Sequence, residues 1–297
     1  MNTAGRGTDA AGGPARHVPV MIEEVVHLLA PEAGGIFIDG TFGAGGYTSA
    51  ILARGGSVIA IDRDPTAIAG GADLVRASEG RLTLVEGRFS DLDSIARDHG
   101  HERVDGVVLD IGVSSMQVDQ PERGFSFRGD GPLDMRMNPD RGLSAAEWLA
   151  RTTPEKLAAA LVENADEPRA EKLAEALAGR RFARTLDLAE AVCDAAGEAD
   201  AEMAMRRVFQ ALRIEVNEEF TALDMFLRVL PAVLKPGGRA AILTFHSGED
   251  RRVKKAFQAF VRNGACAAMS DRVVTAGPEE RRANPRSSPA KLRWLER

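Results

Sequence analysis

The sequence predicts an α/β fold in which an all-helical segment interrupts a parallel sheet covered on both faces. Three observations carry this. Near-continuous apolar runs at 35–38, 57–61, 81–85 and 104–109 alternate with amphipathic stretches near 20–30, 47–54, 65–78 and 91–99, the pattern of buried parallel strands between crossover helices. The first run ends in Asp39, and four glycines follow within seven residues, Gly40, Gly43, Gly45 and Gly46. The alternation then stops after Asp110, where a Gly-, Ser-, Pro- and Arg-rich loop at 111–142 leads into a stretch with helical signals alone.

The glycine turn marks a nucleotide-type cofactor site. Glycine lets the backbone approach a ligand closely, and the helix behind the turn offers unpaired N–H groups. A dinucleotide fingerprint would read Gly-x-Gly-x-x-Gly; Gly43-Ala-Gly45-Gly46-Tyr47-Thr48 puts a threonine in place of its third glycine. The second strand ends at Asp62, roughly 20 residues on, where an acid bonds ribose hydroxyls. That arrangement suits NAD and S-adenosylmethionine alike.

The fourth strand ends in Asp110, followed by Gly112, Ser114, Ser115 and Gln117. Ligands sit outside the carboxyl ends of such strands, and a carboxylate, two hydroxyls and an amide suit a polar ligand or an exocyclic amine. Asp110 and Ser114 are the candidates for gripping that amine. Thr244-Phe245-His246-Ser247 closes a later strand at the same edge, which makes His246 a third catalytic candidate. Glu249 and Asp250 open the next helix, where acids complement the dipole.

Within the helical segment, Ser144-Ala-Ala-Glu147 matches a capping box, and Thr153-Pro154 starts a second helix. Further helices are expected near 169–178, 186–195 and 201–213. The α/β pattern resumes with a helix at 218–234 closed by Lys235-Pro-Gly-Gly238, a strand at 239–245, a basic helix at 249–262 and strands at 267–275 and 291–295. In the loop, Phe125 and Phe127 are placed to stack on bases or to form local core, and Arg128 and Arg136 to meet phosphates. Basic clusters recur at Arg206, Arg207 and Arg213, at Arg251, Arg252, Lys254 and Lys255, and at Arg281, Arg282 and Arg286.

The whole chain is acidic, with 297 residues, a net charge of −6 and a pI near 5.5, so any RNA contact needs local basic patches. Cys193 and Cys266 are the only cysteines; they form neither a zinc pattern nor a disulfide framework and suit a reducing cytoplasm. No metal site is expected. No apolar run approaches a membrane span. Residues 1–16 have no apolar run and read as a disordered tail, not as a signal peptide.

These stretches resemble the RsmH (MraW) family of bacterial 16S rRNA cytosine-N4 methyltransferases. The resemblance rests on His17-Val-Pro-Val, Asp39-Gly-Thr-Phe-Gly-Ala-Gly-Gly, Ala60-Ile-Asp-Arg-Asp-Pro, Leu109-Asp-Ile-Gly-Val-Ser-Ser, Glu122-Arg-Gly-Phe-Ser-Phe, Asp130-Gly-Pro-Leu-Asp-Met-Arg-Met, Phe209-Gln-Ala-Leu-Arg-Ile-Glu-Val-Asn, Thr244-Phe-His-Ser and Asn284-Pro-Arg. It implies a class I, Rossmann-like methyltransferase sheet with an inserted helical domain, S-adenosylmethionine as donor, and the N4 amine of a cytidine in the decoding region of 16S rRNA as acceptor. The implied donor-binding positions are Gly43, Gly45, Gly46, Tyr47, Asp62, Phe89, Asp110 and Gln117. Tyr47 stands where the family often has His, Met116 where Pro is usual, and Gly248 where Leu is usual. The implied division is a tail at 1–16, a methyltransferase domain at 17–119 and 206–297, and an inserted loop and helical substrate-recognition domain at 120–205. The expected partner is 16S rRNA in the small ribosomal subunit, with no membrane and with a homodimer left open. Two rival readings stand beside it. A nicotinamide-dependent dehydrogenase is disfavoured by Thr48 and by the terminal strand pair; a non-catalytic RNA-binding protein is disfavoured by the intact Asp39, Asp62 and Asp110.

Overall fold

The computed structural model describes residues 19–297; the expected tail at 1–16 and His17 lie outside the described residues. Seven strands among the described residues form one sheet: β1 Ile36–Asp39, β2 Ser57–Asp62, β3 Leu82–Glu86, β4 Val104–Asp110, β5 Leu234–Thr244, β6 Ala268–Met269 and β7 Lys291–Glu296. Their order is β3-β2-β1-β4-β5-β7-β6. The first five pair in parallel, and β7 runs antiparallel to both β5 and β6. The order reverses between β1 and β4, and a crevice opens at such a switch point, outside the carboxyl ends of the strands.

The parallel strands are apolar on both sides because both faces are covered. On one face Phe37, Val108 and Leu243 pack with Val25 and Ile51 of helices Ile22–Leu29 and Gly46–Ala53. On the other, Ile38, Leu109 and Ile242 pack with Phe226 and Phe257 of helices Glu219–Val233 and Ser247–Arg262. A third apolar cluster belongs to the helical segment, where Leu149, Leu161, Leu173 and Leu188 are fully buried with Phe209. The capping box expected at Ser144 forms, with Ser144 N–H donating to Glu147 at 2.9 Å and Glu147 N–H to the Ser144 hydroxyl at 3.2 Å. Helix Ala201–Asn217 joins that cluster to helix Glu219–Val233, which packs on the sheet. The boundary expected at 205/206 falls inside this helix, and its Val208, Phe209 and Leu212 belong to the helical cluster. Glu218, at φ 53, turns the chain into Glu219–Val233.

Four local expectations need correction. The helix expected at 65–78 is two, Pro65–Gly70 and Ala72–Ala77, separated at Gly71. Lys235-Pro-Gly-Gly238 does more than close a helix: Leu234 already pairs with Val104, and the ladder resumes at Arg239 opposite Gly106, so these residues bulge out of β5. The strand expected at 267–275 shrinks to two residues plus an isolated bridge between Val274 and Leu292. Helix Pro278–Ala283 was not anticipated.

Candidate active site

Three carboxylates stand at the carboxyl ends of β1, β2 and β4, and the chain around each fixes a different state. Asp39 is fully buried; its oxygens accept from the Thr48 hydroxyl at 2.7 Å and from Thr41 N–H at 3.2 Å. Burial pushes its pKa up to about 6. Asp62 accepts from Gly43 N–H at 2.7 Å with one oxygen and from Asp64 N–H at 2.8 Å with the other. It therefore ties the glycine turn to the end of β2. Burial raises its pKa, against the lowering effect of those two backbone bonds. Asp110 has one side-chain contact among the described residues, the Tyr47 hydroxyl at a long 3.4 Å. Burial first and the neighbouring Asp39 second push its pKa up to about 7.

Asp62 and Asp110 border a cavity of about 390 Å³, with Asp39 buried behind the wall, within the range of small-molecule sites. Gly43, Gly46, Tyr47, Asp62, Phe89 and Asp110 all line it, as do Ser114 and Gln117. Gly45 turns the chain behind the wall in the left-handed region, at φ 77. Gly46 meets Pro19 so closely that a Cβ would fall 2.0 Å from its Cγ, so glycine there lets residues 19–21 lie across the turn. Tyr47 is buried, and its hydroxyl donates to Val20 O at 2.6 Å. Burial, then Asp110, hold the phenol well above its ordinary pKa. Phe89 stacks edge-on against Phe226 with centroids 5.9 Å apart.

Ser114 and Gln117 are tied to each other. The Ser114 hydroxyl accepts from Gln117 N–H at 3.3 Å, and Ser114 N–H donates to Gln117 Oε1 at 3.1 Å. The Gln117 amide also donates to Asp64 at 2.9 Å, so it braces the wall through Asp64. His246 is not brought to the cavity wall. Its ring leans on Phe220, and its Nε2 lies 3.0 Å from Glu249 Oε1 but off the hydrogen-bond direction, leaving both atoms and Nδ1 buried without a partner. Phe220 also accounts for Gly248: a Cβ there would sit 2.7 Å from the Phe220 ring, so the missing side chain makes room for that aromatic.

Several wall residues escaped the sequence reading. Asp64 accepts from Arg123 at 2.9 Å, and Arg123 also donates to Met137 O at 2.9 Å, pinning the 123–138 loop beside the cavity. Asn217 holds the same loop from the other side, accepting from Met137 N–H at 2.8 Å and donating to Met135 O at 2.7 Å. Arg213 grips Glu219 with two bonds of 2.8 and 2.9 Å. Burial pulls its pKa down, but Glu219 and Glu249 outweigh that and hold it above the ordinary value. Arg286 reaches the rim and pairs with Asp119 at 2.6 Å. The signal for Asp64 was in the sequence, two residues after Asp62; Arg123, Asn217 and Arg286 join segments too far apart for spacing to show, and Arg213 meets Glu219 through the turn at Glu218.

The loop aromatics are core. Phe125 and Phe127 pack on the helical cluster, and Phe127 meets Phe209 edge-on at 5.3 Å, so neither is free to stack on a base. Arg136 is held by Asp134 at 2.7 Å, whereas Arg128 is exposed and its side chain is unpaired among the described residues. The basic clusters are largely neutralised, by Arg206–Glu202, Arg207–Glu167, Arg251–Asp166 and Arg252–Glu163. A second, polar cavity of about 960 Å³ adjoins the first and shares Arg63, Gly87, Arg88 and Ala222 with it; Asn138, Trp148 and Lys156 of the helical side line its far wall.

A switch-point cavity bounded by a glycine turn and strand-end acids, under a sheet with one antiparallel strand near its edge, defines an S-adenosylmethionine-dependent methyltransferase of the α/β class. The chain belongs to the MraW methylase family, whose pattern matches residues 14–297. It is 49% identical to ribosomal RNA small subunit methyltransferase H of Xanthobacter autotrophicus, over 99% of this chain and 92% of that protein. It is 50% identical to the protein of the same name from Rhodopseudomonas palustris, over 95% and 91%. Among solved structures, an rRNA methylase from Streptococcus thermophilus is similar with a TM-score of 0.40 and 13% identity, over 93% of both chains. No helix among the described residues is long and apolar enough to cross a membrane.

Proposed function

We propose that this protein methylates the exocyclic N4 of a cytidine in the decoding region of 16S rRNA, within the small ribosomal subunit. The observation that carries the reading is Asp110: a carboxylate at the end of β4, on the wall of the donor cavity, with its hydrogen-bonding capacity almost unused.

The residues present fit S-adenosylmethionine. Gly43 has no atom within 3.9 Å of where a Cβ would stand, so its backbone face is open. Asp62 keeps lone pairs beyond its two backbone bonds and would hold the ribose hydroxyls. Val20, Phe89 and Phe245 give the cavity apolar walls for a base. When bound, S-adenosylmethionine supplies an electrophilic methyl group on a sulfonium.

Cytosine N4 is a poor nucleophile because its lone pair is conjugated with the ring, so positioning supplies much of the rate. Asp110 accepts a hydrogen bond from the N4 amine and turns its lone pair toward the methyl carbon. As the N–C bond forms and the C–S bond breaks, positive charge grows on N4, and the facing carboxylate stabilises it. With a pKa near 7, Asp110 is able to take the proton N4 must lose. Ser114, on the same wall, is a second acceptor for the amine. His246 would act from behind, through Glu249. The loop and helices of 120–205 serve as the substrate-recognition part, and the adjoining polar cavity gives the RNA access to the donor. Family membership and the name of the close relatives support this reading.

The test is tritiated methyl transfer to small subunits from a strain lacking this gene, followed by nucleoside analysis. N4-methylcytidine is expected. A different methylated nucleoside, or free cytidine serving as well as the subunit, would overturn the proposal.

A further inference from the structure

Arg213 is placed unusually for a structural arginine. It sits toward the C-terminal end of Ala201–Asn217, a helix of the helical cluster, and it lines the same cavity as Asp110. Its Nε and Nη2 are spent on Glu219 at 2.8 and 2.9 Å, and Nη2 lies 4.0 Å from Glu249. Its Nη1 bonds no described group, yet it is not among the buried atoms without a partner. The side chain is 14% exposed, so the free Nη1 opens to the cavity. Glu249 lies 4.0 Å from Arg213 and its charge also reaches Asp110, and the fixed donor and the free acceptor line one cavity.

A buried ion pair is weak evidence for stability, because desolvation offsets much of the attraction. What Glu219 and Glu249 provide is a rigid guanidinium with one N–H pair left over. Cytosine presents a matching edge: the N4 amine donates and the adjacent ring N3 accepts. We propose that Arg213 reads the target base, donating from Nη1 to cytosine N3 while Asp110 accepts from N4. This rests on the proposed cytosine-N4 reading. Uracil, with an N–H at position 3 and a carbonyl at position 4, meets both groups with the wrong polarity. Buried groups left unpaired in this way reject the wrong partner strongly. Adenine shows the same amine-and-acceptor edge, so Arg213 excludes uracil and leaves purines to the size of the cavity.

The test is a cycle between protein and substrate. Small subunits are reconstituted with 16S rRNA carrying either cytidine or 3-deazacytidine at the methylated position; the second replaces N3 by C–H. Single-turnover kcat/KM is measured for the wild-type protein and for Arg213→Met/Glu219→Gln, which removes the donor together with the carboxylate it is bonded to. Arg213→Lys gives the same comparison in a chain that keeps its ion pair but loses the planar fork. The ratio of the two substrates should change by about tenfold or more between wild type and each variant, the scale of one hydrogen bond to a charged group. Dividing the ratios cancels the different intrinsic reactivity of the deaza base. A ratio that stays the same in the variants overturns the assignment of Arg213, even if both variants methylate more slowly. If the wild-type protein makes no N4-methylcytidine on the natural subunit, the underlying reading fails, and this inference with it.

Discussion

Asp62 and Asp110 occupy equivalent places, each the last residue of a parallel strand at the mouth of one cavity, yet their surroundings are opposite. Both oxygens of Asp62 are bonded to backbone N–H groups at 2.7 and 2.8 Å. Asp110 has one 3.4 Å contact with a tyrosine that already donates to Val20 O. A carboxylate tied to the backbone holds a loop in shape. One that is buried and under-bonded carries an unspent interaction, and such groups mark sites of chemistry. The strand end alone does not separate the two acids; the proposed roles rest on the hydrogen-bonding capacity each has left.

Removing charge from each acid should separate them. Asp110→Asn keeps size but loses the charge, and single-turnover methylation at saturating donor should fall by about 10²-fold or more, the scale of one electrostatic contact in a closed site. Donor affinity, measured by calorimetry on the same variant, should change far less; a loss confined to affinity would make Asp110 a second Asp62. Asp62→Ala should lower donor affinity by more than about tenfold, since a charge-assisted hydrogen bond is lost and the Gly43 N–H is released from its anchor. Unchanged affinity would take Asp62 out of the donor site.

The comparison extends to stability. Asp110 titrates near pH 7 in the folded chain and near 4 when unfolded. Its raised pKa means that its contribution is fully present below about pH 4 and is lost as pH rises toward 7, by up to about 1.4 kcal/mol per pH unit crossed. Thermal melts without donor should therefore show Asp110→Asn gaining on the wild-type protein from pH 5 to pH 8. A gap that does not move with pH would mean that Asp110 is not desolvated. The smallest effect concerns the loop. Arg128→Glu should weaken subunit binding a few-fold, most at low salt, through loss of a phosphate contact; filter binding across a salt series checks it. If donor affinity falls as well, Arg128 belongs to the cavity and not to the RNA surface.

What could be read from the sequence was local. An apolar run that stops at an acid marked the places of Asp39, Asp62 and Asp110, because the interior of a parallel sheet takes apolar side chains and its carboxyl ends carry the polar ones. The capping box at Ser144 was legible for the same reason: all of its bonds lie within three residues. What stayed hidden depends on partners brought together by folding. Arg123 reaches Asp64 across 59 positions, and nothing near Arg213 in the chain showed that helices Ala201–Asn217 and Glu219–Val233 would turn it toward the cavity. The basic clusters carry less free charge than composition suggests, because composition counts charges without their partners; Glu163, Asp166 and Glu167 pair with arginines up to 89 positions away. Phe125 and Phe127 were open to either base stacking or local core, and the helical cluster packed against them favours core.

The most direct test of the role given to Asp110 is the pH dependence of single-turnover methylation of small subunits at saturating donor. Asp110 must be ionised to accept from the N4 amine, so the wild-type rate should rise with pH and level off, with a midpoint below the value of about 7 that Asp110 has without donor, because the bound sulfonium favours the carboxylate. Asp110→Asn should lose both the rate and that dependence. A wild-type profile that is flat from pH 5.5 to 8.5, or the same midpoint persisting in Asp110→Asn, would contradict the account and move the chemistry to another group on the cavity wall.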